Sequence, residues 1–162
     1  MESDRKYFFI ATILNWKHLL IKNKFKQIII NELNHQVNKG LLKVFAFVIM
    51  PNHIHLIISI PFPFIPKDVQ RDFLKWISKQ FITELKNTNP EYLEEFRVNA
   101  KDRTYQIWER NSLAIEIFWQ EIIFQKLNYI HTNQTTEKWK LANTPEEYEF
   151  STAEFYFDGR MQ

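Results

Sequence analysis

The sequence predicts an α+β domain: a ferredoxin-like βαββαβ antiparallel sheet with helices on one face and an added C-terminal helix that bears Tyr129. Three observations carry this expectation. Apolar, β-branched runs alternate with segments of helical period in the order β-α-β-β-α-β-α. Two of the runs are separated only by Pro51-Asn52, so they pair as an antiparallel hairpin. Val69, Phe73, Ile77, Phe81 and Leu85 recur at strict i, i+4 spacing, which is one face of a helix.

Taken in order, Lys6 to Trp16 is rich in aromatic and β-branched residues and predicts the first strand. His18 to Asn38 places Leu20, Ile21, Phe25, Ile28, Ile29 and Leu33 near helical spacing, and Gly40 stands where a helix C-cap glycine belongs. Leu41 to Met50 and His53 to Ile60 are the hairpin strands. The proline-broken stretch from Pro61 to Pro66 precedes the second helix. Asn87 to Arg103 is polar and aperiodic, a loop with one short helix. Tyr105–Trp108 and Leu113–Phe118 read as strands, a hairpin around Arg110-Asn111, and Trp119 to Asn133 as a helix.

Composition bounds what such a domain does. At 162 residues the chain reads as one domain, 1–162, large enough for a proper core. There are no cysteines, hence no disulfide framework and no thiolate zinc site, which fits a reducing cytosol. The N-terminus lacks the pattern of a signal peptide, and the apolar run from Val44 to Pro66 is interrupted too often to span a membrane. Only two glycines, Gly40 and Gly159, argue against a glycine-rich phosphate loop. Residues 1–88 hold thirteen Lys/Arg against six Asp/Glu, whereas residues 89–162 hold eight against thirteen. A basic half points to polyanions, nucleic acid first.

His53 and His55 stand out within the apolar hairpin. Side chains alternate across a strand, so both point to one face, roughly 6.5–7 Å apart along it. Ile54, Leu56 and Ile58 then face the core. Neutral imidazole is a common metal ligand, and nearby oxygen donors would complete a site for Mg2+, Mn2+ or Zn2+. A histidine triad would need a third histidine at position 57, which is Ile57; a two-histidine phosphoesterase would need a second copy of the motif, which is missing.

In the last helix, spacing puts Ile122, Lys126, Tyr129 and Asn133 on one face. Tyr129 is a candidate nucleophile, but a phenol with a pKa near ~10 needs help to lose its proton. Lys126, one turn earlier, offers a positive charge. Asn133, one turn later, offers an amide oxygen suited to a hard cation.

Met50-Pro51-Asn52-His53-Ile54-His55-Leu56-Ile57 resembles the MPNHxHLI segment of the HUH single-tyrosine transposases, and more closely that of the REP-associated tyrosine transposases of bacteria. Lys126-Leu127-Asn128-Tyr129-Ile130-His131-Thr132-Asn133 resembles that family's KLxYIHxNP segment, and Tyr148-Glu149-Phe150-Ser151 its later Y-x-W-S motif. Trp108 also fits its layout. Order and spacing match over most of the chain. Two departures stand out: Gln134 replaces the proline expected after Asn133, and Thr135-Thr136-Glu137 replaces a valine-rich continuation. The loss of proline bears on how the helix ends and removes none of the chemical groups.

The resemblance implies a DNA-cleaving and DNA-joining enzyme of the bacterial cytoplasm, associated with the nucleoid. Tyr129, assisted by Lys126, would form a 5′-phosphotyrosine linkage, and His53, His55 and Asn133 would hold one Mg2+ or Mn2+ ion. The partner would be single-stranded DNA flanked by a hairpin or palindromic repeats. The protein would work as a monomer or as a homodimer. Lys17, Lys22, Lys24 and Lys26, on or beside the first helix, are candidates for phosphate contacts, and Trp16 or Trp108 for stacking on unpaired bases. Two other readings of the same residues stand beside this one. One is a domesticated hairpin-binding protein that does not transpose, and the other a metal-dependent phosphodiesterase without covalent catalysis.

Overall fold

The computed structural model describes residues 4–157. Four strands, β1 (Arg5–Thr12), β2 (Lys43–Ile49), β3 (His53–Ile60) and β4 (Leu113–Ile117), form one sheet in the order β2-β3-β1-β4. Every neighbouring pair is antiparallel. Helices α1 (Asn23–Asn38) and α2 (Pro66–Thr88) fill the two crossovers, and α3 (Pro90–Glu94), α4 (Gln120–Thr132) and α5 (Ala153–Phe157) follow in the described residues. This is the α+β, ferredoxin-like βαββαβ arrangement expected, with the added helix carrying Tyr129.

Sequence explains most boundaries. α1 ends in a Schellman-type cap: Gly40, at φ 74°, donates to the Val37 carbonyl, and Leu41 donates to that of Gln36. α2 opens on Pro66, whose missing N–H costs nothing in the first turn. All five of its i, i+4 residues are buried, with Ile77 and Phe81 fully so. Phe81 meets Phe25 of α1 edge to face at 5.1 Å, and this contact knits the two helices together. They cover the sheet face carrying Phe9, Ala11, Ile54, Leu56 and Ile58, all buried. Each of the larger side chains among them contributes about 1.5–3 kcal/mol.

The structure corrects two expectations. β1 stops at Thr12 rather than reaching Trp16, because Asn15 and Trp16 take left-handed backbone (φ 55° and 58°). Such a conformation costs a non-glycine residue about 1–3 kcal/mol. It is held by the Asn15 N–H donating to Glu109 Oε1 at 2.6 Å. Tyr105–Trp108 does not form a hairpin with β4. Tyr105 bridges to Arg97, and Trp108 to Ile13 beyond the end of β1. These bridges draw the segment to Arg97 and to the chain just past β1, so it leaves the outer edge of β4 unpaired among the described residues.

α4 lies on the opposite sheet face, against β2, β3 and β4. The segment after it returns to the edge of β2. Tyr148 Oη donates to the Ile49 carbonyl at 2.6 Å, and Ser151 bridges to Val48. Thr152 Oγ1 accepts from the Phe47 N–H at 3.1 Å and meets His131 Nε2 of α4 at 2.8 Å. The Tyr148–Ser151 motif therefore works as a clasp that fixes the helix carrying Tyr129.

Candidate active site

Strand register puts His53 opposite Thr12 and His55 opposite Ile10, so both imidazoles share the face beneath α4, as alternation requires. Their rings lean together, with centroids 4.7 Å apart and planes nearly perpendicular. Asn52 sets the tautomer of the first. Its Nδ2 donates to the Trp16 carbonyl at 3.4 Å, which turns Oδ1 towards His53. His53 Nδ1–H donates to that oxygen at 2.6 Å, leaving the Nε2 lone pair for a ligand.

His55 is 3% exposed, and among the described residues neither of its ring nitrogens has a hydrogen-bond partner. Such an orphaned buried pair is costly unless something binds it. Phe8 stacks on the His55 ring at 5.6 Å and 13°. Burial, reinforced by the positive charge of Lys138, pulls the His53 pKa down to about 4. Burial, then His53 and Lys126, pulls that of His55 down to about 3. Both rings are neutral at pH 7, the state that donates lone pairs.

α4 delivers Tyr129 to this pair. Its ring lies 5.2 Å from that of His55 at 85°, and 6.5 Å from that of Phe8. Tyr129 is nevertheless 49% exposed. Lys126, one turn earlier, holds its Nζ 4.6 Å above the centre of the Phe8 ring. Three of the expected residues, His55, Tyr129 and Lys126, therefore meet around Phe8, whose role the sequence did not signal.

Asn133 caps α4, is 8% exposed, and has Nδ2 buried without a partner among the described residues. No hydrogen bond joins it to either histidine. Among the described residues no group of three or more His, Cys, Asp or Glu could hold a metal ion. The two neutral imidazoles nevertheless have the chemistry of metal ligands.

The four lysines separate. Lys22 is exposed and makes no ion pair among the described residues. Lys17 pairs with Glu95 at 3.2 Å, and Lys24 with Glu84. Lys26 is a correction: it is buried, donates to the Ile21 carbonyl and Asn23 Oδ1, and sits 4.8 Å over the Phe150 ring. Burial lowers its pKa. A lysine spent on such internal contacts does not reach a phosphate. The two tryptophans separate as well: Trp16 is 64% exposed, whereas Trp108 is 7% exposed and packs in the core.

Trp139 was not foreseen. It stands between His53 (5.8 Å) and His18 (5.9 Å), closing one side of the site. It lies in an aperiodic segment, where no spacing rule could single it out.

No family model matches the chain, and no curated protein matches it. Solved structures do. The chain is similar to a REP-associated tyrosine transposase bound to a REP hairpin, at TM-score 0.69 and 19% identity, over 99% of this chain and 82% of that one. It is also similar to a candidate transposase from Deinococcus radiodurans R1, at TM-score 0.50 and 15% identity, over 83% of this chain and 93% of that one. The chain thus has the fold of the REP-associated tyrosine transposases.

Proposed function

We propose that this protein is a transposase that cuts and rejoins one DNA strand through Tyr129. The observation that carries the reading is the position of that phenol: half exposed, yet 5.2 Å from a buried neutral histidine. The exposed edge admits an extended strand, and the packed edge fixes the ring.

Tyr129 Oη attacks the scissile phosphorus. Oη gives up its proton to water as the Oη–P bond forms, the P–O3′ bond breaks, and the electron pair leaves on the 3′ oxygen, which takes a proton to become a free 3′-OH. The phosphodiester energy is kept in the 5′-phosphotyrosine bond. A 3′-OH, from the same strand or another, reverses the step and joins DNA. Lys126, one helical turn before Tyr129, would supply a positive charge to the phosphate as negative charge builds up in the transition state. A Mg2+ or Mn2+ ion held by His53 and His55, with Asn133 as a third donor, would polarise the phosphate as a Lewis acid. His53 and His55 enter this chemistry neutral, and Asn52 keeps the Nε2 of His53 unprotonated.

The substrate class is single-stranded DNA beside a hairpin. Support comes from the fold neighbour, which is bound to a REP hairpin. Lys22 is free for phosphate contact, and Lys17 and Lys24 become so by releasing their carboxylate partners.

The test is incubation with labelled stem-loop DNA and Mn2+, followed by denaturing electrophoresis. A protein–DNA adduct that Tyr129→Phe abolishes is expected. Metal-dependent cutting that survives Tyr129→Phe would overturn the tyrosine mechanism in favour of a phosphodiesterase. Binding with no adduct would leave a hairpin-binding protein.

A further inference from the structure

We infer that the cleft beside the histidine pair, walled by Trp16, Arg110 and Asn111, holds an unpaired purine of the strand being cut. The inference rests on the reading of Tyr129 as the nucleophile that attacks DNA.

The cleft has a volume of about 370 Å³, and Ile10, Thr12 and Leu113 line its floor. Register makes it a neighbour of the site. Ile10 stands directly between His55 on β3 and Leu113 on β4, and Thr12 is paired with His53. The floor is thus the same sheet face that carries both imidazoles, one strand further over.

Two walls rise from it, and each is bent by left-handed backbone: Asn15-Trp16 on one side and Asn111 (φ 64°) on the other. Glu109 ties them together by accepting from the Asn15 N–H. Its N–H in turn donates to the Thr12 carbonyl at 2.7 Å. The Trp16 carbonyl accepts from Asn52, whose other amide atom holds His53. The Trp16 wall is therefore built from the same bonds that orient a candidate ligand.

Chemistry identifies the occupant. Trp16 exposes most of an indole, the surface on which single-stranded bases stack. Arg110 is exposed and makes no ion pair among the described residues, so its planar donor fork is free. Arginine donates in bidentate fashion to guanine O6 and N7, and asparagine pairs with adenine N6 and N7. Both partners belong to purines. A base in the cleft would stand one strand over from His55.

The experiment uses stem-loop DNA with randomised unpaired extensions on both sides. Protein carrying Tyr129→Phe, which cannot turn over, is used to select bound molecules for sequencing. Enrichment of a purine at one unpaired position is expected, and Arg110→Ala should lose that preference while still enriching the stem. Anisotropy with the selected sequence then compares Trp16→Ala, Trp16→Gly and Trp16→Phe. Ala and Gly should weaken binding roughly 5- to 100-fold, the range of base stacking on an aromatic ring, and Phe should restore most of it. Glycine suits the left-handed backbone, so its loss of affinity does not come from misfolding. Binding to the bare stem-loop should change little. Equal losses on bare and extended DNA, no loss, or a pyrimidine preference would overturn the inference. Should wild-type protein still form the Tyr129 adduct in that case, the proposed function stands alone; if no adduct forms on any of these DNAs, both fall.

Discussion

The phenol of Tyr129 and the imidazole of His55 meet edge to face, with ring centroids 5.2 Å apart at 85°. One belongs to the most buried strand of the sheet and the other to a helix laid over it. The clasp at β2 holds that helix in place, so the approach depends on three parts of the chain far apart in sequence. Phe8 joins them: His55 stacks on it, and Tyr129 and Lys126 approach it from above.

Tyr129→Phe should separate folding from chemistry. The ring contacts to His55 and Phe8 survive the change, and Oη makes no hydrogen bond to another described residue. Stability should stay within about 0.5 kcal/mol of the parent, as for other surface substitutions. Covalent adduct on stem-loop DNA should vanish. A large drop in melting temperature would mean that the hydroxyl has a structural role.

Lys126→Met keeps the aliphatic stem over Phe8 and removes the charge. The rate of adduct formation should fall about 10²-fold, the scale of one lost electrostatic contact in a transition state. Affinity for the stem-loop should hardly move. Should affinity fall and rate hold, Lys126 is a DNA-binding residue only.

Legibility in the sequence followed the strength of local periodicity. β3 matches its expected span from His53 to Ile60, because two polar residues at alternate positions mark its phase. α2 was equally plain, since five apolar residues at one spacing leave no other element open. The end of β1 was missed because Ile13, Leu14 and Trp16 have strand-like side chains, and only tertiary bonds to Glu109 and Asn52 bend the backbone there. The burial of Lys26 was invisible for a similar reason. Its neighbour Phe150 comes from the chain's far end. Tyr129 and the histidines were found by motif, whereas Phe8 and Trp139 bear no mark of their role until the fold brings them in.

Acid should destabilise the metal-free protein through its buried histidines. Burial holds His53 and His131 down to about 4 and His55 to about 3. In the unfolded chain each titrates near ~6.5. Between these values the unfolded state takes up protons that the folded state refuses, so stability is full above about 6.5 and falls as pH drops towards 4. Denaturant midpoints measured in EDTA should be level from pH 8 to 7 and decline below that. His131→Gln should reduce the slope by about one proton. A flat midpoint down to pH 4.5 would refute the assignment.

Phe81→Ala should show that the α1–α2 layer is the main store of stability. Phe81 is fully buried, edge-on to Phe25 and 6.3 Å from Trp108. Truncation should cost about 3–5 kcal/mol, the cost of a large core cavity. Phe124→Ala, on an exposed side chain of α4, should cost less than about 1 kcal/mol. Similar costs for the two would place the core elsewhere.

Thr152→Val tests whether the clasp positions the nucleophile. Its hydroxyl accepts from the Phe47 N–H and meets His131 Nε2, two residues after Tyr129. Valine keeps the shape but leaves two buried polar groups unsatisfied, at about 1–3 kcal/mol each when no water replaces the bond. Some of that cost should appear as fraying of α4 from the sheet, because His131 ties the helix end to β2. Adduct formation should slow, and amide exchange in α4 should speed up relative to that in β3. Thr152→Ser, which keeps the hydroxyl, should restore both. If Thr152→Val slows the adduct with exchange in α4 unchanged, the clasp does not act through the position of Tyr129.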